Sequence, residues 1–299
     1  MYAQPQTYLC VQPDEAVEID GLLDEWQKVS WTNDFIDITG KEELAPYLQT
    51  RAKMMWDSNY LYIAAWMEET HLWGTVTERD KVIYVDNDFE VFIDPDGDTH
   101  NYAEIEVNAL GTVWDLFLTR PYRDGTVPLT AFDIHGLECK VKLYGSINDP
   151  ADRDSAWIVE MAIPWNSLID LTPGERKPFA GEHWRINFSR VHWELDIIDG
   201  RYVKKKMPEN NWVWSAQGEV NMHMPEKWGY LFFSDKRAGE EYDLPEVPEE
   251  ERIKMKLRQV YFAQKQYRKE HKTYTKNFSE LIGHHPDNEI SNGINLSAT

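Results

Sequence analysis

Cysteine is scarce in this chain, and its scarcity excludes a fold that depends on disulfide bonds. Only Cys10 and Cys139 are present, which is too few for a disulfide framework, and their separation matches neither a zinc-binding pair nor a redox motif. The residues alone leave two alternatives open, a single bridge or two buried thiols.

Positive charge and long apolar runs are also lacking. The chain carries 31 Lys and Arg against 52 Asp and Glu, a formal net charge of -21, and a surface of this sign repels nucleic-acid phosphates and anionic lipids. We therefore expect no nucleic acid as a partner. No apolar run approaches the roughly 20 residues that span a bilayer, so we expect no membrane insertion. The N-terminal residues MYAQPQTYLC lack the basic and apolar regions of a signal peptide.

Short runs of alternating apolar and polar residues are, by contrast, abundant. From Val17 to Phe233 they are separated by Gly, Pro, Asn and Asp, a pattern typical of an antiparallel β-sandwich. The pattern therefore predicts an all-β, jelly-roll-like sandwich. Strands are predicted at residues 51–57, 60–68, 88–94, 102–109, 112–118, 138–144, 157–163, 184–193 and 228–233, with one short helix in IPWNSLIDL.

The C-terminal part of the chain follows a helical pattern instead. Ile253, Leu257 and Val260 recur at helical spacing, with acidic residues before them and basic residues after them, as the helix dipole favours. We therefore predict a β-sandwich domain at residues 8–234 and a C-terminal α-helical extension at residues 245–299. We expect the apolar stripe of this helix, which also includes Tyr261 and Tyr267, to pack back on the sandwich because it is too apolar to leave in water. A contact with a partner protein is the alternative.

The segment from residue 86 to 115, DNDFEVFIDPDGDTHNYAEIEVNALGTVWD, is the most informative part of the chain. It predicts two strands joined by an Asp-rich turn, each with one apolar and one polar face, because side chains alternate between the faces of a strand. The polar faces carry Asp88, Glu90 and Asp94 in the first strand and Tyr102, Glu104, Glu106 and Asn108 in the second. A solvated outer surface would explain the pattern, but aligned carboxylates, an amide and a tyrosine are also what a polyol or a cation binds.

The turn between these two strands offers a candidate metal site. Asp94, Asp96 and Asp98 alternate around a Pro and a Gly, and their oxygen ligands suit a hard cation such as calcium. The turn lacks the distal bidentate Glu of an EF-hand loop, so a solvated turn is an equal alternative. Calcium is the cofactor that this pattern indicates.

Five further stretches are informative together. They are IDGLLDEW at 19–26, MWDSNYLYIAAWMEE at 55–69, DNDFEVFIDPDGD at 86–98, WIVEMAIPWNSL at 157–168 and WSAQGEVNMHMPEKWGYLFF at 214–233. In this order they resemble the family 9 carbohydrate-binding modules and the wider DOMON-like sandwich superfamily. The resemblance implies a sandwich of two antiparallel sheets that binds sugars or oligosaccharide ends, frequently holds a structural metal such as calcium, and catalyses nothing itself. It also implies an extracellular or periplasmic protein of polysaccharide breakdown, whose signal peptide is absent from this sequence.

In the family that the chain resembles, an aromatic pair sandwiches the sugar. The first aromatic residue precedes the DxxE element, where this chain has Tyr84 before Glu90. The second precedes the closing Pro-x-x-aromatic-Gly element, where this chain has Met222, a side chain that cannot stack as a ring does. The strand with Glu104 and Glu106 holds amide or basic side chains in sugar-binding members.

Aromatic and basic residues late in the chain complete the expected site. Most of the 13 tryptophans are expected in the core, but Trp193, Trp212 and Trp214 flank polar loops and are candidates to replace the missing aromatic wall. Arg190 and His192 share a strand and would form ion pairs with the acidic strands if they lie near them. We therefore expect sugar contacts from Tyr84, Asp88, Glu90, Glu104, Glu106, Asn108, Arg190, His192, Trp193, Trp212 and Met222.

Two alternative functions arise from the same residues. Glu104 and Glu106 at positions i and i+2 place two carboxylates roughly 7 Å apart on one strand face, a separation that glycoside hydrolases use. Glu90 or Glu194 would be a further acid. Met222 and His223 would instead suit a haem-binding electron-transfer sandwich, although the chain has no C-x-x-C-H motif. Because the family that the chain resembles is non-catalytic, we favour a binding module.

Overall fold

The computed structural model describes residues 4–172 and 174–281. The chain divides into two compact units, Met1–Pro245 and Glu246–Thr299, and each unit is described by itself. Among the residues described, no helix has the length and the apolar character needed to cross a membrane.

The first unit consists mainly of β-strands. In chain order these are β1 (Thr7–Gln12), β2 (Ile36–Asp37), β3 (Thr50–Trp56), β4 (Tyr60–Glu68), β5 (Asp88–Asp94), β6 (Tyr102–Asn108), β7 (Val113–Leu118), β8 (Glu138–Tyr144), β9 (Ala156–Pro164), β10 (His183–His192), β11 (Leu195–Ile198), β12 (Arg201–Lys204), β13 (Asn210–Val213) and β14 (Gly229–Arg237). The helix α1 (Trp165–Leu168) follows β9, and the second unit contains α2 (Glu249–His271) and α3 (Phe278–Leu281).

Most of these strands belong to one continuous sheet. Its hydrogen-bonded order is β7-β6-β5-β10-β14-β1-β3-β4-β9-β8, with β13 pairing with β10 and β2. β1 is the junction of the sheet, because it pairs in parallel with β14 on one side and with β3 on the other. The other pairings along this order are antiparallel. The predicted purely antiparallel sandwich is therefore corrected to a curled, mixed sheet.

The hydrophobic core lies between the two halves of this sheet. Phe89 and Val91 of β5 belong to the same buried cluster as Met54 of β3 and Ile63 of β4. Each half of the sheet therefore buries one face against the other half. The apolar face that the sequence predicts for β5 is confirmed as a core face, which leaves the acidic face of that strand on the other side of the sheet.

The predicted strands are all present, and 60–68, 88–94 and 138–144 match the structure from end to end. The sequence missed β1, β2, β11, β12 and β13. β1 is buried along most of its length and pairs on both sides, so it reads as a continuous apolar run without alternation. The hairpin of β11 and β12 did carry a signal, since Asp199 and Gly200 both have positive φ and Asp-Gly favours a tight hairpin turn.

The two cysteines are both free thiols. Cys10 is buried in the core cluster, and Cys139 packs against that cluster while remaining partly exposed. The two alternatives left open by the residues are thus resolved in favour of thiols, and the sheet is held by packing and hydrogen bonds without a covalent bridge.

The second unit confirms the predicted helix but changes its buried face. Val260 and Ala263 of α2 pack against Leu281 of α3, whereas Ile253 and Leu257 are 50% and 49% exposed. Of the stripe expected from the sequence, Val260 belongs to this cluster and Tyr267 packs against it. A contact of this helix with the sandwich or with a partner protein stays a prediction.

Candidate functional site

A cavity of about 380 Å³ lies on the acidic face of the first unit. This volume is in the range of small-molecule binding sites. Side chains of β5, β6 and β7 form part of its wall, and loop residues complete it. The residues lining the cavity are Ile38, Tyr84, Glu90, Phe92, Glu104, Glu106, Trp114, Leu116, Tyr122, Val191, Glu209, Asn211, Val220, Asn221, Met222 and His223.

Strand register brings the carboxylates of the cavity together. Glu90 lies opposite Glu106, and Phe92 lies opposite Glu104, across the β5–β6 pair. Trp114 of β7 lies opposite Glu106 on the other side. The predicted alternation is confirmed, but the polar face is not a solvated surface, because Glu90, Glu104 and Glu106 are only 5%, 4% and 2% exposed.

Burial dominates the electrostatics of this face. It raises the pKa of Glu90 to about 7. Burial, followed by the negative charge of Glu90, raises the pKa of Asp88, Glu104 and Glu106 well above the usual range. Burial also lowers the pKa of His223 to about 4, so this ring is neutral near pH 7. The described residues that line the cavity include no Lys or Arg, so the glutamates have no counter-charge within it.

Backbone N–H groups fix the orientation of two carboxylates. Ile83 and Tyr84 donate from their backbone nitrogens to Glu106 Oε2 at 3.2 and 3.0 Å. Val191 donates in the same way to Asp88 Oδ1 at 3.2 Å. The second oxygen of Asp88, Oδ2, is buried without a hydrogen-bond partner among the described residues. A buried acceptor of this kind carries a desolvation cost that nothing in the fold offsets.

Two more unpaired polar atoms belong to residues that line the cavity. Glu104 Oε2 and Trp114 Nε1 are buried, and neither has a hydrogen-bond partner in the described part of the chain. His223 Nε2 lies 4.0 Å from Glu104 Oε2, which is beyond hydrogen-bonding distance. One atom is an acceptor and the other a donor, so a ligand with hydroxyl groups would satisfy both.

Two partly exposed tyrosines supply flat apolar surfaces at the cavity. Tyr84 and Tyr122 are 47% and 44% exposed. Tyr122 packs edge-on against His223, with ring centroids 4.4 Å apart, which fixes the ring. Met222, at the second position of the expected aromatic pair, also lines the cavity. Tyr122 therefore offers the second ring that Met222 does not, and the apolar C–H faces of a pyranose stack on such rings.

The predicted sugar-contact residues separate into groups. Tyr84, Glu90, Glu104, Glu106 and Met222 all line the cavity. The sequence placed these residues together correctly, because four of them lie on or near one strand pair with fixed alternation and the fifth occupies a family position. Their contact with a ligand stays a prediction.

Asp88 and Asn108 lie next to the cavity but do not line it. Asp88 is fully buried beside the glutamates. Asn108 donates to Asp86 Oδ2 at 3.0 Å and to the Val76 carbonyl at 2.8 Å, and its Oδ1 accepts the backbone N–H of Thr112 at 3.0 Å. The amide of Asn108 is thus committed to holding the turn after β6, which corrects its assignment as a sugar contact.

Arg190 and His192 are also corrected, because they pair with a carboxylate that the sequence analysis did not consider. Arg190 donates to Glu69 Oε2 at 3.0 Å and to Thr50 Oγ1 at 2.9 Å, and it is fully buried. His192 Nδ1 lies 3.3 Å from the same Glu69 oxygen. The expected ion pairs with the acidic strands do not form, since Glu69 at the end of β4 is closer.

The late tryptophans do not rebuild the missing wall. Trp212 and Trp214 are each 1% exposed and belong to the hydrophobic core, so a ligand does not reach them. Trp193 lies outside the cavity lining: its Nε1 donates to the Tyr84 carbonyl at 2.9 Å, and Lys204 Nζ sits 3.8 Å from its ring centroid. Trp193 therefore supports the backbone of Tyr84 instead of offering a free face.

Four residues that line the cavity were not predicted from the sequence as members of the site. They are Trp114, Tyr122, Glu209 and His223. Trp114 was expected in the core, and its neighbours in β7 gave no reason to separate it from them. Tyr122 and Glu209 lie in loops, where no periodicity indicates direction. His223 was noted only as a haem ligand. The one indication in the sequence that His223 belongs to the sugar site was its position directly after Met222.

Two groups of carboxylates have the spacing of a cation site. Asp94, Asp96 and Asp98 place oxygens within 4.8 Å of one another, and so do Asp88, Glu90 and Glu106. In the turn, Asp94 accepts backbone N–H groups of residues 97 and 99 at 3.0 and 2.9 Å, while Asp96 and Asp98 are exposed. The turn offers oxygen donors only, which suit calcium, and a calcium ion at this turn stays a prediction.

Glu104 and Glu106 both lie on β6 and both line the cavity. Retaining and inverting glycosidases hold their two carboxyl groups about 5 Å or more apart, with the sugar between them. The separation of roughly 7 Å expected for this pair stays a prediction.

Comparison with known proteins identifies the family. A family model described as carbohydrate family 9 binding domain-like matches residues 19–236. The chain belongs to this family, and it is a carbohydrate-binding module by that membership. The resemblance predicted from the motifs is confirmed. Comparison with curated proteins finds no match.

Solved structures of similar fold include proteins from two organisms. A candidate carbohydrate-binding protein from Bacteroides uniformis is 14% identical, with a TM-score of 0.56 over 77% of this chain and 99% of that one. A family 9 module from Caldicellulosiruptor kristjanssonii in complex with cellotriose is 18% identical, with a TM-score of 0.48 over 81% and 100%. The same kind of module in complex with glucose is 19% identical, with a TM-score of 0.48 over 77% and 97%. At its low identity, the first structure supports the fold alone.

Proposed function

We propose that this module binds a sugar or an oligosaccharide end in the cavity and that it catalyses no reaction. One observation carries the proposal. Tyr84 and Met222, which occupy the two positions of the family's aromatic pair, line the same cavity as Glu90, Glu104 and Glu106. Residues distant in the chain thus converge where the family relation predicts the sugar.

The chemistry of the cavity suits a polyhydroxylated ring. Tyr84 and Tyr122 present partly exposed rings on which the C–H face of a sugar can stack. Glu104 Oε2 and Trp114 Nε1 are an unpaired acceptor and an unpaired donor, and sugar hydroxyl groups act as both. The ligand therefore offsets a desolvation cost that the fold leaves in place.

Catalysis has no support at this site. The hydrolase alternative rests on Glu104 and Glu106 alone, whereas the family relation supports a binding module. The haem alternative rests on Met222 and His223 alone, and the sequence has no C-x-x-C-H motif for haem attachment. Neither alternative has a further observation in its favour.

The setting of the module extends the proposal. We propose an extracellular or periplasmic protein of polysaccharide breakdown, on the family relation and on the acidic net charge of -21. We also propose that Asp94, Asp96 and Asp98 are ligands of a calcium ion. The spacing of their carboxylate oxygens supports this site. A calcium titration of Asp96→Asn against the unmodified chain tests the calcium site.

The apolar stripe of α2 is proposed to pack on its own sandwich, with contact to a partner protein as the alternative. A chain that ends at Asp243 should melt several degrees lower or self-associate if this helix covers its own sandwich. Calorimetry and sedimentation of the truncated chain separate the two roles, since an unchanged melting temperature and monomer state favour the partner.

A glycan array probed with the full chain tests the proposed function. We expect binding to a defined class of glycan, both on the array and in solution by titration calorimetry. The array is probed with calcium and again with a chelator. Absence of binding to every glycan under both conditions would show that this member of the family has lost its sugar site.

A further inference from the structure

Three buried carboxylates converge at the inner end of the cavity. Asp88, Glu90 and Glu106 each place an oxygen within 4.8 Å of the others. Glu90 and Glu106 line the cavity, whereas Asp88 does not line it and is fully buried behind it. We call these three residues the floor carboxylates. Their common centre therefore lies deeper than the cavity wall.

The surroundings hold the floor carboxylates in place instead of neutralising them. Backbone N–H groups bond one oxygen of Glu106 and one oxygen of Asp88, while Asp88 Oδ2 has no partner among the described residues. Fixing one oxygen and leaving the other available is how proteins orient carboxylate ligands of a metal. Three like charges at this spacing repel one another unless a cation or protons join them.

Independent atoms point to a second ligand above the floor carboxylates. Trp114 is more than nine-tenths buried, lines the cavity, and has an unpaired Nε1. Glu104, which is 4% exposed, also lines the cavity and has an unpaired Oε2. These atoms do not belong to the acidic trio, and neither has a hydrogen-bond partner among the described residues.

We propose that the floor carboxylates bind a calcium ion and that this ion coordinates hydroxyl groups of the sugar bound above it. Calcium takes six to eight oxygen ligands at 2.3–2.6 Å. Three carboxylates supply about three to six of them, and the cavity side leaves positions for sugar hydroxyls or water. The bridge to sugar rests on the proposed function, whereas the ion site does not.

The first experiment measures calcium binding without sugar. Titration calorimetry is performed on the full chain carrying Asp96→Asn, which removes the turn as a competing site. We expect this variant to bind calcium and to gain several degrees in melting temperature with millimolar calcium. Adding Asp88→Asn should abolish both effects. If Asp96→Asn alone abolishes binding, the ion sits at the turn, and if the double variant still binds with unchanged affinity, the floor carboxylates do not hold it. Either result overturns the inference.

Further variants and a second measurement distinguish loss of the ion site from misfolding of a variant. Terbium, a calcium substitute, is expected to luminesce when Trp114 is excited, because Trp114 lies opposite Glu106 in the strand register. Trp114→Phe should remove most of this luminescence and Glu106→Gln should weaken terbium binding at least tenfold. Circular dichroism confirms that each variant is folded. Full luminescence in Trp114→Phe would overturn the assignment.

The third measurement tests whether the calcium ion coordinates hydroxyl groups of the bound sugar, an interaction called the bridge below. Cellotriose and glucose are titrated into the unmodified chain with calcium and with a chelator. We expect the affinity for the sugar that binds to fall about tenfold or more in the chelator. Equal affinity in both buffers would overturn the bridge and leave the proposed function standing. If neither these sugars nor any glycan on the array binds, the proposed function fails, and the calcium titration still decides the ion site.

Discussion

Glu69 and Glu104 are both buried carboxylates of the first unit, and their surroundings are opposite. Glu69 Oε2 lies 3.0 Å from an Arg190 nitrogen and 3.3 Å from His192 Nδ1, and Glu69 Oε1 accepts two backbone N–H groups. Glu104 has an unpaired Oε2 and further glutamates as neighbours. A stable core tolerates the buried charge of Glu69 because that charge is paired with positive side chains. The burial of Glu104 has no such compensation.

The two regions differ in pKa as they differ in partners. Burial would raise the pKa of Glu69, but the hydrogen bond from His192 and the charges of Arg190 and His192 lower it to about 2. Burial and the charge of Glu90 raise the pKa of Glu104. The Glu69 carboxylate is therefore paired with positive side chains, whereas the described residues that line the cavity include no Lys or Arg to pair with Glu104. Perturbed carboxylates mark a candidate site when, as here, they lie in a cavity without partners.

The largest expected effect comes from removing the carboxylate charge of Glu69. Glu69→Gln should destabilise the protein by about 3–5 kcal/mol, because it leaves the fully buried Arg190 without its counter-charge. Urea denaturation measures the change. The control is Glu68→Gln at the exposed neighbouring position, which should alter stability by less than about 0.5 kcal/mol. Similar losses for both variants would contradict the distinct role of Glu69.

The pH dependence of the same cluster follows from the depressed pKa of Glu69. Its contribution is fully present above the unfolded-state value near 4.5 and is lost as pH falls toward about 2, an effect on the order of 3 kcal/mol. We expect the stability difference between the unmodified chain and Glu69→Gln to shrink across this window. Denaturation at several pH values checks it. A difference independent of pH would show that Glu69 does not titrate as described.

The third prediction concerns the cavity and its ligand. Tyr84→Ala should weaken sugar binding by about 1–3 kcal/mol, the scale of a lost aromatic contact. Calorimetry with the best glycan from the array measures this loss. Tyr144→Ala is the matched control, since Tyr144 is a similarly exposed tyrosine on β8 that is not among the residues lining the cavity. Unchanged affinity in Tyr84→Ala would move the site away from this cavity.

The smallest expected change in stability is that of Glu104→Gln. It tests the contrast between Glu104 and Glu69 directly. Glu104→Gln replaces a carboxylate that has like-charged neighbours, so it should leave stability unchanged or raise it by up to about 1 kcal/mol. The same chemical change is thus expected to be nearly harmless at Glu104 and severe at Glu69. Thermal melting in a calcium-free buffer compares them. A loss at Glu104 as large as that at Glu69 would remove the distinction between the two regions.

The sequence by itself determined the strand alternation and much of the cavity. Period-two patterning placed Glu90, Glu104 and Glu106 on one face, because strand geometry leaves a side chain only two directions. Family motifs added Tyr84 and Met222. These are local or motif-based inferences, and the structure places all five residues at one cavity.

Only the tertiary structure decided which charges meet and which faces are buried. Arg190 pairs with Glu69, which is 121 positions away, and alternation cannot choose among distant partners. The two-sided parallel pairing of β1 curls the sheet, and loops then cover the acidic face that would otherwise be solvated. Tyr122 reaches the cavity from such a loop, where direction depends on the packing of the whole chain and not on local periodicity.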